Sequence, residues 1–460
     1  MKNIIDGIKW NGLAGLMLLV IKPISNLFMA RLLMPEEFGE YAYIFSIVSI
    51  AWMLRSFGLE DYIITNYEKD NRNRMLSTVQ FINLLSASLI GLLIVILVYI
   101  YLYRYFEIAV ILVLAQFISS YFVISHVLIN ANLDFKISNI IGIASNIVGV
   151  TIGISLAYAG YGIWSIVLMT TSKIIIDPII STLYIGKLFK PKLYRNELYR
   201  IKEFCSKYYI GNMITRATDY MDKIAIGKTT SSTDLGLYTQ SSSIANLIFS
   251  TIDTIISGVT IPILSRKNTS INERDRFLII YEMLISFSIL LSTILIFKSK
   301  LIIIILLGSK WLAATNILSV ISLIGLLGVV NNYLKNFLII KNIGSLLNIK
   351  IITFFIFIIS IFPLTKIYGI NGCLISLISY NIVYLLMQIF NINLEQYRIS
   401  IFKITFKYLC ILIISIFITY IINFEFHYYN NFYQDLVEIL TFISIYIVLT
   451  IVILKMNKTR

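Results

Sequence analysis

Long, continuous runs of apolar residues dominate this chain, and many of them are long enough to cross a lipid bilayer. Examples are LLSASLIGLLIVILVYIYL (84–102) and IITFFIFIISIFPL (351–364). A helix needs about 20 apolar residues to cross hydrocarbon, whereas the strands of membrane barrels alternate apolar and polar positions. Because these runs do not alternate, the pattern predicts an all-α, polytopic membrane protein.

The apolar runs predict about fourteen transmembrane helices. They cover residues 12–33, 41–58, 80–102, 108–129, 138–158, 162–186, 208–228, 235–264, 278–297, 312–334, 349–365, 370–390, 406–424 and 436–454. The first run is long, contains Lys22 and Pro23, and lacks a clear cleavage site. We therefore expect it to remain as the first transmembrane helix rather than to be removed as a signal peptide.

Composition and charge agree with this topology. Hydrophobic residues make up 58% of the chain and charged residues only 13%, which is incompatible with a soluble domain. With a cytoplasmic N-terminus, most of the formal charge of +14 falls in inner segments such as 187–207 and 265–276. That satisfies the positive-inside rule, so we expect both termini in the cytoplasm and no nucleic-acid partner. The exceptions are Lys298, Lys300 and Lys310, which fall in one predicted outer loop.

Two short matches indicate an internal repeat. A shift of 197 positions aligns FGEYA (38–42) with LGLYT (235–239), so that Gly39 meets Gly236 and Tyr41 meets Tyr238. In addition, YGI recurs at 161–163 and 368–370, each time opening the last predicted helix of a half. Because each half has an even number of spans, the halves share one orientation and form a parallel repeat.

The repeat divides the chain into four parts. We predict an N-lobe (1–186, spans 1–6), a basic cytoplasmic linker (187–207), a C-lobe (208–392, spans 7–12), and two further C-terminal spans with a cytoplasmic tail (393–460). Duplicated lobes around a central cavity are typical of transporters. The alternative is a chance likeness between halves in a membrane protein that does not transport.

One predicted span, MITRATDYMDKIAIG (213–227), carries four charges. A charge at the centre of a spanning helix costs about 2.5–3.5 kcal/mol on insertion scales. Arg216, Asp219 and Lys223 fall on one stripe of this helix, with Asp222 near its edge. We expect the stripe to line a cavity. Alternatively, these charges pair with one another only to permit insertion.

The first predicted span also carries polar groups, namely Lys22, Asn26 and Arg31. In the repeat register Lys22 meets Asp219 and Asn26 meets Lys223. The first helices of both halves therefore present polar groups, as expected of a substrate path between lobes.

Other intramembrane polar residues allow simpler interpretations. Lys173 and Asp177 are four positions apart, which predicts a local ion pair. His126 is interpreted as a hydrogen-bonded packing residue rather than a proton relay. Arg55 and Asp253 lie on corresponding helices of the halves and could pair with each other.

Catalytic signatures are absent from the sequence. It contains no GxxxxGK[ST] loop, no HExxH and no metal-ligand cluster. We therefore expect no catalytic residue, cofactor or metal, and a protein that is not an enzyme. The three cysteines, at 205, 373 and 410, show no spacing that indicates a disulfide bond and are expected to be free.

Two stretches resemble a known family. MARLLMPEEFGEYAYIFSI (29–47) resembles the opening of polysaccharide transporters in the multidrug/oligosaccharidyl-lipid/polysaccharide exporter superfamily. Residues 208–266 are similar to the opening of that family's second half, with a polar Asn and Asp helix, Gly-Lys at its end, Leu-Gly-x-Tyr, and then Pro-x-Leu-Ser.

The resemblance implies an O-antigen (Wzx-type) flippase in a bacterial plasma membrane. Such a protein moves oligosaccharide repeat units, linked to polyprenyl diphosphate, from the inner to the outer leaflet by alternating access. Its diphosphate needs cations, and the candidate substrate-binding residues are Arg216, Lys223, Lys22, Arg31 and Asn26. Asp219 or Asp222 could bind a coupling H⁺ or Na⁺.

Alternative functions remain open at this point. A lipid II flippase and a cation-coupled multidrug exporter belong to the same superfamily. A polysaccharide polymerase or ligase is the alternative outside transport, although such enzymes carry a long outer loop that this sequence lacks. Expected partners are the lipid-linked oligosaccharide, membrane lipids and a polysaccharide polymerase complex.

Overall fold

The computed structural model consists of helices joined by short connections, and the residues that it describes contain no strand. Those residues are 15, 17, 21–56, 58–67, 71–265, 272–341, 343–391, 395–424 and 432–458.

The helices are numbered in chain order. Those before residue 230 are α1 (21–32), α2 (Pro35–Ser56), α3 (Leu59–Thr65), α4 (Arg72–Tyr101), α5 (Phe106–Ala131), α6 (Phe135–Tyr158), α7 (Ile163–Ile185) and α8 (Arg195–Thr229). The others are α9 (Ser232–Ser265), α10 (Glu273–Phe297), α11 (Ser299–Leu306), α12 (Thr315–Lys341), α13 (Ile343–Tyr368), α14 (Ile370–Asn391), α15 (Glu395–Phe424) and α16 (Phe432–Lys458). Short 3₁₀ helices lie at Tyr103–Tyr105 and Ser309–Ala314.

Each predicted span falls on one of these helices, so the all-α prediction is confirmed. Within the described residues, nine helical segments are long and apolar enough to cross a membrane, or ten if α2 and α3 form one span. Helix α8, whose predicted span carries Arg216, Asp219, Asp222 and Lys223, is not among them, and the described apolar part of α16 is Val437–Val452. The first half of the span predicted at 12–33 lies largely outside the described residues.

Helix α2 begins earlier than its predicted span. The predicted span begins at residue 41, but the helix starts at Pro35 and carries Glu36 and Glu37 in its first turn. Proline at the first helical position and acidic side chains in the first turn both stabilise a helix N-terminus. Glu40, in the next turn, forms an ion pair with Arg104.

The chain forms two compact units, Met1–Thr239 and Gln240–Arg460, and the boundary lies inside α9. The predicted division into two lobes, a linker and C-terminal spans follows the sequence repeat, whereas these two units are defined by contacts within the chain. The predicted division stays a prediction. Helix α8 begins at Arg195, so the second half of the predicted linker 187–207 is helical.

Each unit has its own core. In the first unit, Ile44, Val48 and Trp52 of α2 pack with Leu112 of α5 and Val167 of α7. In the second unit, aromatic rings from α10, α12 and α15 form a cluster of Phe277, Tyr281, Tyr333, Phe337 and Tyr397. Because lipid hydrocarbon is as apolar as these side chains, van der Waals packing rather than removal from water stabilises such cores.

Two segments that the repeat aligns with each other also contact each other reciprocally. Both segments, including residues 232–239, belong to the first unit. A Cβ atom at Gly39 would lie 1.7 Å from the carbonyl oxygen of Ser232, and a Cβ atom at Gly236 would lie 1.8 Å from the carbonyl oxygen of Pro35. The shift that aligns Gly39 with Gly236 also aligns Pro35 with Ser232. The two contacts are therefore related by the repeat, as the two halves of an isologous interface are.

The two YGI segments also share a backbone conformation. Gly162 has φ 53° and Gly369 has φ 60°, a left-handed region that glycine adopts without strain. Gly162 directly precedes α7 and Gly369 directly precedes α14. Each YGI segment therefore opens a helix, as predicted, whereas the division into halves stays a prediction.

Polar contacts attach the C-terminal helices to α10. Lys407 of α15 donates to Glu282 at 2.6 Å, and the hydroxyl of Tyr446 in α16 donates to the carbonyl oxygen of Ser286 at 2.9 Å. At the C-terminal end of α10, Lys298 pairs with Asp435 at 2.5 Å and also with Glu438. Two carboxylates on α16 therefore compensate the charge of Lys298. This lysine is one of the three exceptions to the positive-inside rule.

Cys205 provides a test of the packing of α8. Its thiol is buried, and burial raises the pKa of the thiol to about 11. At pH 7 only about one thiol in ten thousand is then a thiolate, the form that reacts. We expect that, in a variant with Cys373 and Cys410 replaced by serine, maleimide labels Cys205 only after denaturation. Rapid labelling of the folded protein would contradict this packing.

Candidate functional site

The charged stripe lies on the exposed side of α8. Arg216 and Asp219 are exposed and Lys223 is half-buried, whereas Ala225 on the opposite side is fully buried. The helical spacing thus predicted that Arg216 and Asp219 lie on the same exposed face of the helix.

A glycine one turn after Lys223 brings α8 against α2. A Cβ atom at Gly227 would lie 2.2 Å from the ring of Tyr43, so only glycine allows this approach. Two turns earlier, the ring of Tyr220 meets that of Phe45 edge to face, with centroids 6.4 Å apart. Phe45 stacks on Tyr41, whose hydroxyl donates to Thr170 of α7 at 2.8 Å. These contacts hold α8, and with it the stripe, against α2.

Lys223 is partly neutralised within its own helix. Its ammonium group donates to the carbonyl oxygen of Asp219 at 2.8 Å and lies 3.5 Å from a carboxylate oxygen of Asp222. It also lies 5.5 Å from the ring centroid of Tyr220, a favourable cation–π distance. The pairing alternative from the sequence therefore applies to Lys223, with Asp222 as the neighbouring carboxylate.

Asp222 occupies a different position from the stripe residues. It is buried, and it accepts a hydrogen bond of 2.5 Å from the hydroxyl of Tyr238 in α9. A carboxylate accepting a charge-assisted hydrogen bond is well stabilised in a buried position. This partner could not be read from the spacing on α8, because it comes from the next helix.

The polar residues of α1 are accessible. Lys22 and Arg31 are exposed and Asn26 is half-buried. The charge of Lys22 repels that of Lys173 on α7, so two helices of the first unit bring cations within electrostatic range. Sequence spacing could not predict this proximity, because the two residues are far apart in the chain. The side-chain stem of Lys173 packs on α6, where a Cβ atom at Gly149 would lie 2.5 Å from it.

The predicted ion pair between Lys173 and Asp177 is wrong. Asp177 pairs with His126 of α5, with 2.7 Å between Oδ1 and Nδ1. His126 Nδ1 also lies 3.3 Å from the hydroxyl of Ser181. Lys173 is directed to α6 instead, because Gly149 leaves room there for its stem.

Arg55 and Asp253, which could have paired with each other, each have a hydrogen-bond partner within their own unit. Arg55 is buried and donates to Asn83. Asp253 accepts from Asn332 of α12 at 2.7 Å, and Lys335 donates to the same asparagine at 2.7 Å. This places a second set of intramembrane polar residues in the second unit.

A cavity of about 240 Å³ lies between α10, α15 and α16 of the second unit. Its lining is mainly apolar, with Ile294, Phe297 and Phe442 among the residues. The cation at its edge, Lys298, is already paired with carboxylates. This cavity suits hydrocarbon better than an anionic group. Across the described part of the chain, no cluster of His, Cys, Asp or Glu could hold a metal ion.

The sequence of this chain matches that of a known protein family. The sequence model of the family described as polysaccharide biosynthesis protein matches residues 28–316, more than half of the 460 residues. The chain belongs to this family. No curated protein sequence matches this member of the polysaccharide biosynthesis proteins.

Solved structures share the fold of this polysaccharide biosynthesis protein. The lipid II flippase MurJ, in an inward closed conformation, matches with a TM-score of 0.75 and 16% identity, over 98% of this chain and 100% of its own. A multidrug resistance MATE family transporter of the MOP superfamily, in an inward-facing conformation, matches with a TM-score of 0.59 and 10% identity, over 84% of this chain and 95% of its own. The resemblance to exporters of this superfamily is therefore confirmed at the level of fold.

Proposed function

We propose that this protein is a flippase that moves polyprenyl-diphosphate-linked oligosaccharide repeat units, of O-antigen, capsule or a similar polymer, from the cytoplasmic to the outer leaflet. It would do so by alternating access in a bacterial plasma membrane, with both termini in the cytoplasm. Family membership supports a role in polysaccharide biosynthesis, and the fold shared with a lipid II flippase supports transport of a lipid-linked substrate.

The observation that carries the proposal is the exposed Arg216 in the charged stripe of α8, a helix predicted to span the membrane. Arginine binds phosphate groups with two parallel hydrogen bonds. Lys22 and Lys173 add cations from α1 and α7 of the same unit. We propose that Arg216, Lys223, Lys22, Arg31 and Asn26 bind the diphosphate and the first sugar. Lys173 joins this set from the structure.

Coupling to an ion is also part of the proposal. Asp219 is exposed on the stripe, whereas Asp222 already accepts the Tyr238 hydrogen bond. Of these two carboxylates, Asp219 is the better placed to bind H⁺ or Na⁺, because its side chain is exposed whereas that of Asp222 is buried.

Lipid II is the second candidate substrate, because the MurJ structure matches over the whole length of both chains. It shares the polyprenyl diphosphate with the preferred substrate, so the same cations would serve it. A multidrug exporter for cationic drugs is less compatible with Arg216, Lys22 and Lys173, because like charges repel.

Depletion of the protein in its native cell tests the function. We expect single lipid-linked repeat units to accumulate on the cytoplasmic face while surface polysaccharide is lost. Accumulation of lipid II with normal surface polysaccharide would indicate the second candidate. Units that reach the outer face without being polymerised would indicate a polymerase, and unchanged pools of both lipids would exclude both flippase assignments.

Replacement of Arg216 by alanine tests the site. We expect the variant to be inserted at the wild-type level but to restore less than about a tenth of surface polysaccharide in depleted cells, because removal of one charged hydrogen-bonding group costs about 1.5–3 kcal/mol. Arg216→Lys should retain partial function. Lys202→Ala provides the matched control, since Lys202 is an exposed cation of the same helix outside the predicted span. Wild-type transport by Arg216→Ala would remove Arg216 from the site.

A further inference from the structure

The connection between α7 and α8, residues 187–194 (KLFKPKLY), is a basic segment without regular secondary structure in the first unit. Pro191 lies in its middle, and the residue before a proline disfavours the helical conformation, which favours an interruption between the two helices. Five side chains of the segment are exposed, namely Lys187, Lys190, Lys192, Leu188 (52%) and Leu193 (43%). Cations and apolar side chains therefore alternate on an accessible stretch of chain.

Backbone hydrogen bonds fix the segment at the level of one membrane surface. The N–H of Lys192 donates to the carbonyl oxygen of Ser77 at 3.1 Å, and the N–H of Tyr194 donates to the hydroxyl oxygen of Thr78 at 3.3 Å. Both acceptors lie on α4 just before the span predicted at 80–102, by about 3–5 Å at 1.5 Å per residue. The headgroup layer on each side of the hydrocarbon is about 5–7 Å thick. The segment therefore lies among lipid headgroups.

Arg74 of α4 adds a fourth cation to the three lysines. Its guanidinium group lies 5.7 Å from the ring centroid of Tyr194, and the ammonium group of Lys192 lies 5.5 Å from the same centroid. Similarly, the ammonium group of Lys187 lies 5.5 Å from the ring centroid of Phe189. Cation–π contacts of this kind hold a cation in place. Because an aromatic ring has no net charge, they leave the positive charge uncompensated.

Carboxylates of the described residues do not neutralise these four cations, since none of the four forms an ion pair with any of them. The first acidic residue on either side of the segment has another partner. Asp177 pairs with His126 at 2.7 Å, and Glu197 pairs with Arg200 at 3.0 Å. The positive charge is thus available to an anion from outside the described chain.

We propose that the segment 187–194 and Arg74 form a binding surface for the phosphate groups of anionic phospholipids. The cations meet the phosphates, and Leu188 and Leu193 enter the acyl region beside them. Interleaved basic and apolar side chains are typical of surfaces that bind anionic membranes.

The positive-inside rule accounts only for an excess of Lys and Arg next to a span. It requires neither the exposed leucines nor the hydrogen bonds that place the segment at headgroup level. The lipid-binding surface is also independent of the proposed function, because it holds whichever lipid-linked substrate the protein carries.

Lipid titration of the purified full chain tests the proposal. Dioleoylphosphatidylglycerol, which is anionic, and dioleoylphosphatidylcholine, which has no net charge, are each added to the protein in detergent, and bound lipid is counted by native mass spectrometry. We expect the anionic lipid to bind at least about tenfold more tightly, because each Lys or Arg near a membrane surface contributes about fivefold to the binding of anionic lipid. Equal affinity for the two lipids would overturn the proposal.

Two triple variants locate the preference. The first replaces the lysines of the segment by glutamine, which leaves the backbone hydrogen bonds in place: Lys187→Gln, Lys190→Gln and Lys192→Gln. The second removes the same charge from exposed lysines of α11, α13 and α15: Lys300→Gln, Lys366→Gln and Lys403→Gln. We expect the first variant to lose most of the preference for the anionic lipid and the second to retain it. Equal loss in both variants, or full retention in the first, would contradict a local site.

A fluorescent label at position 193 tests the depth of the segment. In the Leu193→Cys variant with Cys373 and Cys410 replaced by serine, an environment-sensitive fluorophore is attached and the protein is reconstituted in phosphatidylglycerol nanodiscs. We expect blue-shifted emission relative to the denatured protein, because the label lies beside the acyl chains. Emission that is the same in the folded and the denatured protein would place the segment in water and overturn the proposal.

Discussion

Replacement of Gly39 by alanine is expected to destabilise the folded protein by about 1–3 kcal/mol. The new Cβ atom would lie 1.7 Å from the carbonyl oxygen of Ser232, so the starts of α2 and α9 would have to move apart by more than 1 Å. Overpacking of this kind costs about 1–3 kcal/mol, and each 1.4 kcal/mol is a factor of about ten in an equilibrium population. The thermal unfolding midpoint of the purified protein measures the effect on stability.

The reciprocal contact supplies a second variant with the same expected effect. Gly236→Ala would place a Cβ atom 1.8 Å from the carbonyl oxygen of Pro35, and its loss of stability should match that of Gly39→Ala. Gly328→Ala is the control, because Gly328 lies in α12 with nothing within 4 Å of an added Cβ atom. Alanine there should stabilise the helix by up to about 1 kcal/mol. If Gly39→Ala proved as stable as Gly328→Ala, the close contact would not exist in the folded protein.

Replacement of Lys407 by methionine is expected to destabilise the second unit by about 3–5 kcal/mol, the usual cost of leaving a buried charge without its partner. Lys407 donates to Glu282 at 2.6 Å, and the hydroxyl of Tyr408 lies 3.2 Å from the same carboxylate oxygen. The pair joins α15 to α10 at positions where both side chains are less than a quarter exposed. Denaturation of the detergent-solubilised protein measures the loss.

The double variant Glu282→Gln with Lys407→Met should be more stable than Lys407→Met alone. Its neutral amide needs no cation, and its oxygen can still accept from Tyr408, so the two substitutions are not additive. Lys403→Met is the matched control, because Lys403 is an exposed lysine one turn earlier on α15, and it should change stability little. A double variant that loses as much as the sum of the single losses would show that the ion pair contributes nothing.

The sequence predicted the helices well because each apolar run is a local property of the chain. It also predicted the exposed stripe of Arg216, Asp219 and Lys223, since 3.6 residues per turn fix which side chains share a helix face. What it could not predict were partners from other helices. The hydrogen bond between Asp222 and Tyr238, and the pairing of Asp177 with His126, depend on how helices pack.

The two repeats illustrate the same limit. Alignment set Gly39 on Gly236 without indicating that the two glycines would meet. A twofold repeat brings equivalent residues together only near its axis, and the position of that axis depends on the packing of the helices. Similarly, Lys298 appeared as an exception to the charge rule because its carboxylates, Asp435 and Glu438, lie 137 and 140 positions further along the chain.

Helix α8 is long enough to extend well beyond the membrane and to transmit a movement from one of its ends to the other. Its 35 residues run without interruption from Arg195 to Thr229, which at 1.5 Å per residue corresponds to about 52 Å, whereas the hydrocarbon core is about 30 Å thick. The stripe and the basic end that begins at Arg195 therefore belong to one rigid rod. Displacement of the basic end would therefore also tilt the stripe.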